Sequence, residues 1–363
     1  MVKRVGILTL PLSINYGGII QAVALSHYLT SQGYEVLLLD KRRPISRMER
    51  FALFLLERVP FQNIGGVRRV SQARRLHDIF IRRFIPARTA AFRSEAQLAK
   101  AVTRHRLDAV IVGSDQVWRM DYLQDDGYRE FFLSFVTSPS VRRIAYAASF
   151  GTGEWLHEDR TETVRALLSK FHAISVREDS GVSLCKSALG VTECAHVLDP
   201  TLLIDPAFYD QAVAPSRKGA GKTLLTYLLD APDRQPLLDA AVHALGRDYS
   251  MASLKLKQRE AIDLPNWLRS FMDADYVMTD SFHGTVFAIL FRKPFIAIAN
   301  TGRGADRFLS LLNAVGLSDR LISVDDAGKV PDLVASPIDY DDVHGRLSIL
   351  RKSSEEFLNK ALT

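Results

Sequence analysis

The chain is poor in cysteine: Cys185 and Cys194 are the two thiols in 363 residues, and they form neither a CxxC pair nor a cluster with histidine. That spacing excludes a secreted disulfide framework and a cysteine-based metal site. Both read as buried structural thiols. Long apolar runs are lacking as well. Nothing approaches the ~20 residues that span a bilayer, and the longest candidates, residues 110–113 and 284–291, end in charge or turn signals. With 21 glycines and 14 prolines the chain has too few of either for a fibrous or low-complexity protein. Lys3 and Arg4 ahead of residues 5–12 imitate a signal peptide, but that stretch is short, holds Pro11 and lacks a small-residue cleavage site. It reads as the buried first strand of a cytoplasmic protein. The remaining composition, 47% hydrophobic and 24% charged, is ordinary globular. The length fits two domains at roughly 150 residues each.

The net charge of +6 is unevenly spread. Between residues 41 and 106, 17 Lys and Arg face 4 Asp and Glu, which leaves the remainder mildly acidic. Inside this block Phe51, Leu53, Phe54, Leu55 and Leu56 sit among Arg47, Arg50 and Arg58. Further on, Leu76, Ile79, Phe80 and Phe84 recur at helical spacing between Arg74, Arg75, Arg82 and Arg83. A basic amphipathic helix suits an anionic membrane surface. It equally suits a solvated helix whose apolar stripe packs on its own domain. No interleaved aromatic platform or zinc knuckle accompanies the charge, so nucleic acid is not an expected partner.

Short β-branched runs alternate with helical patterns almost throughout. Strands are expected at residues 5–10, 35–40, 108–113, 143–148, 173–176, 197–198, 223–228, 274–279, 294–299 and 321–324. Helices are expected at residues 18–31, 95–104, 162–171, 181–189, 236–245, 285–291, 306–315 and 343–362. This alternation predicts an α/β fold with mainly parallel sheets. The run 215–222, rich in Pro, Ser, Lys and Gly, divides it into an N-terminal domain 1–214 and a C-terminal domain 215–363. Two Rossmann-like, doubly wound domains facing a central cleft place ligands at the carboxyl ends of the strands. The terminal helix fits either half.

Four strand ends therefore carry the interest. Residues 13–18 read SINYGG, where Gly17 and Gly18 let a ligand approach a helix N-terminus closely. The segment is not a GxGxxG fingerprint, and a tight turn explains it equally well. Asp115 follows the third expected strand, where a carboxylate either binds sugar hydroxyls, acts as a base or caps the next helix. Arg177 follows the fifth; its planar fork suits a carboxylate or phosphate, and Glu178 or Asp179 would be its ordinary ion-pair partner. The last is Asp280, Ser281, Phe282, His283, Gly284 and Thr285. There His283 stands beside a helix N-terminus, next to a glycine and facing the cleft.

Taken together, INYGG, QAVAL, VGSDQVW, IAYAASFG, ISVREDSG, VLDPTLL, ADYVMTDSFHGTVFAI and KPFI stand in the order found in the polysaccharide pyruvyl transferase family, which the chain resembles over nearly its whole length. The resemblance implies an architecture like the GT-B glycosyltransferases. It implies phosphoenolpyruvate as donor, a sugar diol of a surface polysaccharide or lipid-linked precursor as acceptor, and a pyruvate ketal as product, with no metal or cofactor. Position by position, His283 matches the family's active-site histidine and Arg177 its donor-binding arginine. Gly284 and Thr285 would add helix-start amides on the donor, Asp115 a second catalytic group, and Asn15, Tyr16, Gly17 and Gly18 the acceptor contacts. One position departs: better-studied members carry an arginine two residues before the histidine, where Ser281 stands here. Either another cation substitutes, with Arg303 and Arg307 the candidates, or the donor differs. The alternatives are a nucleotide-sugar glycosyltransferase on the same architecture and a non-catalytic assembly protein held at the membrane by the basic block.

Overall fold

A computed structural model of the protein describes all residues except 1, 43–47, 49–64, 124–126, 217, 230–233, 255–261 and 300–303, and in 65–71 the backbone alone. The expected segment around Phe51, Leu53, Phe54, Leu55 and Leu56 lies outside the described residues, as does Arg303. Eleven described strands form two wholly parallel sheets. The first holds β1 (Arg4–Leu8), β2 (Glu35–Leu38), β3 (Ala109–Gly113), β4 (Arg142–Ala148), β5 (Ala173–Val176) and β6 (Ala195–His196), in the order 2-1-3-4-5-6. The second holds β7 (Lys222–Tyr227), β8 (Tyr249–Ser253), β9 (Tyr276–Thr279), β10 (Phe295–Ile298) and β11 (Leu321–Ile322), in the order 11-10-9-7-8. The helices that matter below are α1 (Tyr16–Ser31), α2 (Gly65–Phe84), α3 (Asp179–Ser187), α4 (Gln235–Leu245), α5 (Leu264–Asp273), α6 (Phe282–Leu290), α7 (Asp306–Ala314) and α8 (Tyr340–Leu362).

Alternation along the strands builds the core. In β3, Ala109 and Ile111 face the apolar cluster that contains α1, while Val110 and Val112 face a second cluster on the opposite side of the sheet. Both faces are covered, which is why the strands read as unbroken apolar runs. The α1 cluster continues through Tyr209 to Leu225, Val277 and Phe287, so one apolar body joins the two sheets. Polar contacts reinforce the join: Tyr16 donates its hydroxyl to the Ile262 carbonyl at 2.7 Å and stacks on Trp267. Ser180 donates to Asp306 at 3.1 Å.

Helix α8 settles where the terminal helix goes. At its start Tyr340 donates to the Lys293 carbonyl and His344 bonds that of Ile289, both in the second half. Towards its end Arg351 donates to the Leu202 carbonyl, the Ser354 hydroxyl accepts from the Leu198 amide, and Phe357 packs near Tyr146, all in the first half. It crosses back. The same Leu198 bond corrects an expected strand: the paired residues are Ala195 and His196, Val197 still donates its amide to the Val176 carbonyl, and Leu198, expected in the strand, turns to α8.

Helix α2 uses its apolar stripe internally. Phe80 is buried and meets Phe84, which in turn meets Phe208, while Ile79 alone of the four stands 67% exposed. Arg74, Arg75, Arg82 and Arg83 line the outer side. Cys185 is buried as expected, but Cys194 is half-exposed, and a bond from Cys194 together with burial pushes the Cys185 thiol up. Among the described residues no helix is long and apolar enough to cross a membrane.

Candidate functional site

The carboxyl ends of both sheets point at one another, and the chain just beyond them builds a buried cluster. Phe282 and His283 open α6 directly after β9, so strand and helix together fix the histidine. The Ser281 hydroxyl caps that helix, accepting from the Gly284 amide at 3.3 Å, and the Ser281 carbonyl takes the Thr285 amide at 3.0 Å. Gly284 and Thr285 therefore offer a ligand no open amide, contrary to their expected part, because both are consumed by the cap. Gly284 itself is required by packing, since a Cβ there would overlap the Thr279 hydroxyl.

His283 lies between the halves. Its Nδ1 edge rests on Gly17 at the start of α1, where a Cβ would overlap the ring. Its Nε2 faces Asp199 Oδ2 at 3.7 Å, an ion-pair distance rather than a hydrogen bond, and has no hydrogen-bond partner among the described residues. Asp199 is fully enclosed. Its Oδ1 accepts from the Thr201 amide at 3.0 Å and hydroxyl at 2.6 Å; its Oδ2 accepts from Ser114 at 2.8 Å and from Arg177 Nη1 at 2.7 Å. Burial pushes this carboxyl up, yet His283, Arg177 and Thr201 outweigh it and hold it well below the usual carboxylate range.

Arg177 is thus paired with Asp199 rather than with Glu178 or Asp179. Neighbours on an extended backbone point opposite ways, and Glu178 turns instead to the Phe150 and Gly151 amides at 2.8 and 3.1 Å. Among the described residues the Arg177 guanidinium spends only Nη1 on acceptors, and Nε and Nη2, the two atoms of its other edge, are buried without a hydrogen-bond partner there. Its Cζ lies 4.6 Å from the Phe282 ring centre, and the Cζ of Arg307 lies 5.4 Å from the same ring. Two guanidiniums therefore share one aromatic face-pair. Burial, and next the charge of Arg177, push Arg307 down to about 10.

The remaining expected residues gather here in part. Asp115 adopts a left-handed backbone at φ +65°, accepts from Asn15 Nδ2 at 2.9 Å, and stands where a Cβ on Gly18 would come within 2.9 Å of it. Asn15, Gly17, Gly18, Asp115 and His283 thus adjoin, whereas the Tyr16 hydroxyl is committed to Ile262. Sequence reasoning gave no role to Asp199, Ser114 or Phe282. Asp199 stands before a proline at a helix start and caps residues 200–203, a signal that reads as structural.

A buried arginine–carboxylate–histidine cluster thus lies between two parallel sheets of an α/β fold of GT-B-like architecture. The sequence pattern of the family described as polysaccharide pyruvyl transferase matches residues 15–302, and the chain belongs to that family. No curated protein matches it. Among solved structures, S. aureus MnaA in complex with UDP is similar at TM-score 0.52 and 12% identity, over 96% of this chain and 91% of that one. A UDP-N-acetylglucosamine 2-epimerase is similar at TM-score 0.51 and 10% identity, over 96% and 90%. The N-terminal domain of Candida albicans trehalose-6-phosphate phosphatase is similar at TM-score 0.52 and 10% identity, over 100% and 97%. At such identities the likeness concerns the fold.

Proposed function

We propose that the protein transfers the enolpyruvyl group of phosphoenolpyruvate to two hydroxyls of one sugar in a surface polysaccharide or its lipid-linked precursor. The observation that carries this reading is the open edge of Arg177: two buried N–H donors in fork geometry, beside a histidine and a second guanidinium. Such a fork matches a carboxylate or phosphate and leaves a large desolvation cost unless an anion answers it. Phosphoenolpyruvate carries both groups. Arg177 and Arg307 hold it, and Arg307 supplies the cation that Ser281 does not.

In the reaction His283, as the imidazolium, gives a proton to C3 of the enolpyruvyl group, and positive charge develops at C2. One sugar hydroxyl bonds to C2, the C2–O bond to phosphate breaks, and the neighbouring hydroxyl closes the ketal. Two hydroxyl protons are released; one restores His283 and the other leaves with phosphate. Asp115 takes the first of these protons from the hydroxyl and passes it on to His283, and Asn15, Gly17 and Gly18 border the acceptor. The division falls at residue 215, between the two sheets, with the acceptor on 1–214 and the donor on 215–363 apart from Arg177. The arginines on the outer side of α2 draw the protein towards the anionic surface that carries a lipid-linked acceptor. Vesicle binding indifferent to lipid charge counts against that last part.

The test is thermal unfolding with phosphoenolpyruvate, phosphate, UDP, GDP and CMP in parallel. A ligand at ~100 times its Kd adds about 2.7 kcal/mol. Stabilisation by phosphoenolpyruvate beyond phosphate, followed by acceptor-dependent phosphate release that His283→Ala lowers on the order of 10²–10⁴-fold, supports the reading. Stabilisation by a nucleotide alone replaces it with glycosyl transfer.

A further inference from the structure

Asp199 has no part in the steps above, yet it is the most tightly held polar group in the cluster. Four donors fix both its oxygens: the Thr201 amide and hydroxyl on Oδ1, Ser114 and Arg177 on Oδ2. The carboxylate therefore cannot rotate. Its Oδ2 is also the polar atom that His283 Nε2 faces, from the opposite half of the molecule. We propose that Asp199 is a positioning residue for His283, fixing the proton on Nε2 and leaving Nδ1, on the Gly17 side, as the nitrogen that exchanges protons with substrate.

The argument is electrostatic. A neutral imidazole carries its proton on one nitrogen and a lone pair on the other. With the proton on Nδ1, the Nε2 lone pair would face a buried carboxylate oxygen at 3.7 Å, too close to admit a water, which is repulsive in a low-dielectric setting. With the proton on Nε2 the contact becomes attractive, and the bond made by one ring nitrogen sets the task of the other. The other charged groups around the ring do not compete for Nε2. Arg177 is already bound to the same carboxylate, Arg307 lies beyond Phe282, and Asp115 lies beneath Gly18 on the Nδ1 side. Glycine at 17 is what lets the ring lie in this position, since any Cβ there would overlap it. Because Asp199 and His283 come from different halves, the ring gains its carboxylate only while the halves are together. The catalytic use of Nδ1 rests on the pyruvyl-transfer reading; the tautomer does not.

The test is ¹⁵N spectroscopy of the full chain with labelled histidine, the His283 signals being assigned by their loss in His283→Asn. The expected result, at a pH where the ring is neutral, is a proton on Nε2 rather than Nδ1 in the wild type. In Asp199→Asn the ring becomes a mixture of tautomers, and turnover falls on the order of 10²–10⁴-fold. Thr201→Val removes the hydroxyl donor from Oδ1, leaves the amide bond and every charge in place, and shifts the tautomer ratio part of the way. A wild-type ring protonated on Nδ1 overturns the proposal, as does an Asp199→Asn ring and turnover equal to wild type. Should no donor be turned over, pyruvyl transfer fails while the wild-type spectrum still decides the role of Asp199.

Discussion

An arginine that gives one nitrogen to a carboxylate and keeps an edge of two for something else has a divided role, and substitution can separate the parts. Arg177→Lys keeps a positive charge for Asp199 but has no fork. The expected outcome is a protein that folds with little loss yet binds phosphoenolpyruvate at least about tenfold more weakly, roughly 1.4 kcal/mol, read by titration calorimetry. Arg177→Met removes the charge and strands the carboxylate, so it should lower unfolding free energy by about 3–5 kcal/mol in urea. Asp199 also sets a pH dependence. Its folded value lies below its unfolded one, so its contribution is fully present above pH ~4 and is lost as the pH falls through the acid range. The urea midpoint should therefore drop between pH 6 and pH 3, and the drop should shrink in Asp199→Asn. At this scale the sequence was half legible. His283 and Arg177 stand at strand ends with suggestive neighbours, but Asp199 carries the ordinary marks of a helix cap before proline, and nothing local tells that its carboxylate reaches across to residue 283.

Among the elements, α6 shows how a departure in sequence becomes a structural choice. The serine at 281, where related chains were expected to carry a cation, serves as the helix cap. Ser281→Ala is expected to cost about 1 kcal/mol, within the usual 0.5–2 for a lost cap, measured by chemical denaturation. Activity should fall only as far as His283 shifts with the frayed turn. Element legibility followed amphipathic contrast. Residues 18–31 were expected as a helix and form most of α1, whereas β8 escaped because an edge strand reading YSMAS, largely exposed, has neither alternation nor an apolar run. Helix α5 escaped despite a readable pattern: Asp263 caps it, and Leu264, Trp267, Leu268 and Phe271 recur at helical spacing. The stripe on α2 was readable as apolar but not as to its partner, because Phe84 meets Phe208, a residue far along the chain.

At the scale of the molecule, the two sheets were legible as two strand–helix series, but their attachment was not, since it depends on contacts between residues more than a hundred positions apart. Helix α8 is one such fastening. It leaves the second half at Tyr340 and His344 and grips the first through Arg351, Ser354 and Phe357. The Ser354 hydroxyl holds the amide of Leu198, the residue immediately before Asp199. The fastening that closes the halves thus ends one residue from the carboxylate that faces His283. Ser354→Ala leaves that buried amide unpaired, which costs about 1–3 kcal/mol. The mutation touches neither His283 nor Arg177, so a purely local effect would lower the melting temperature and leave turnover per folded molecule unchanged. A fastening effect predicts more: turnover reduced several-fold at temperatures where the protein is still folded, with amide exchange rising together at residues 198–201 and along the last turns of α8. Exchange confined to α8, with unchanged turnover, would separate the helix from the site and make its crossing a matter of stability alone.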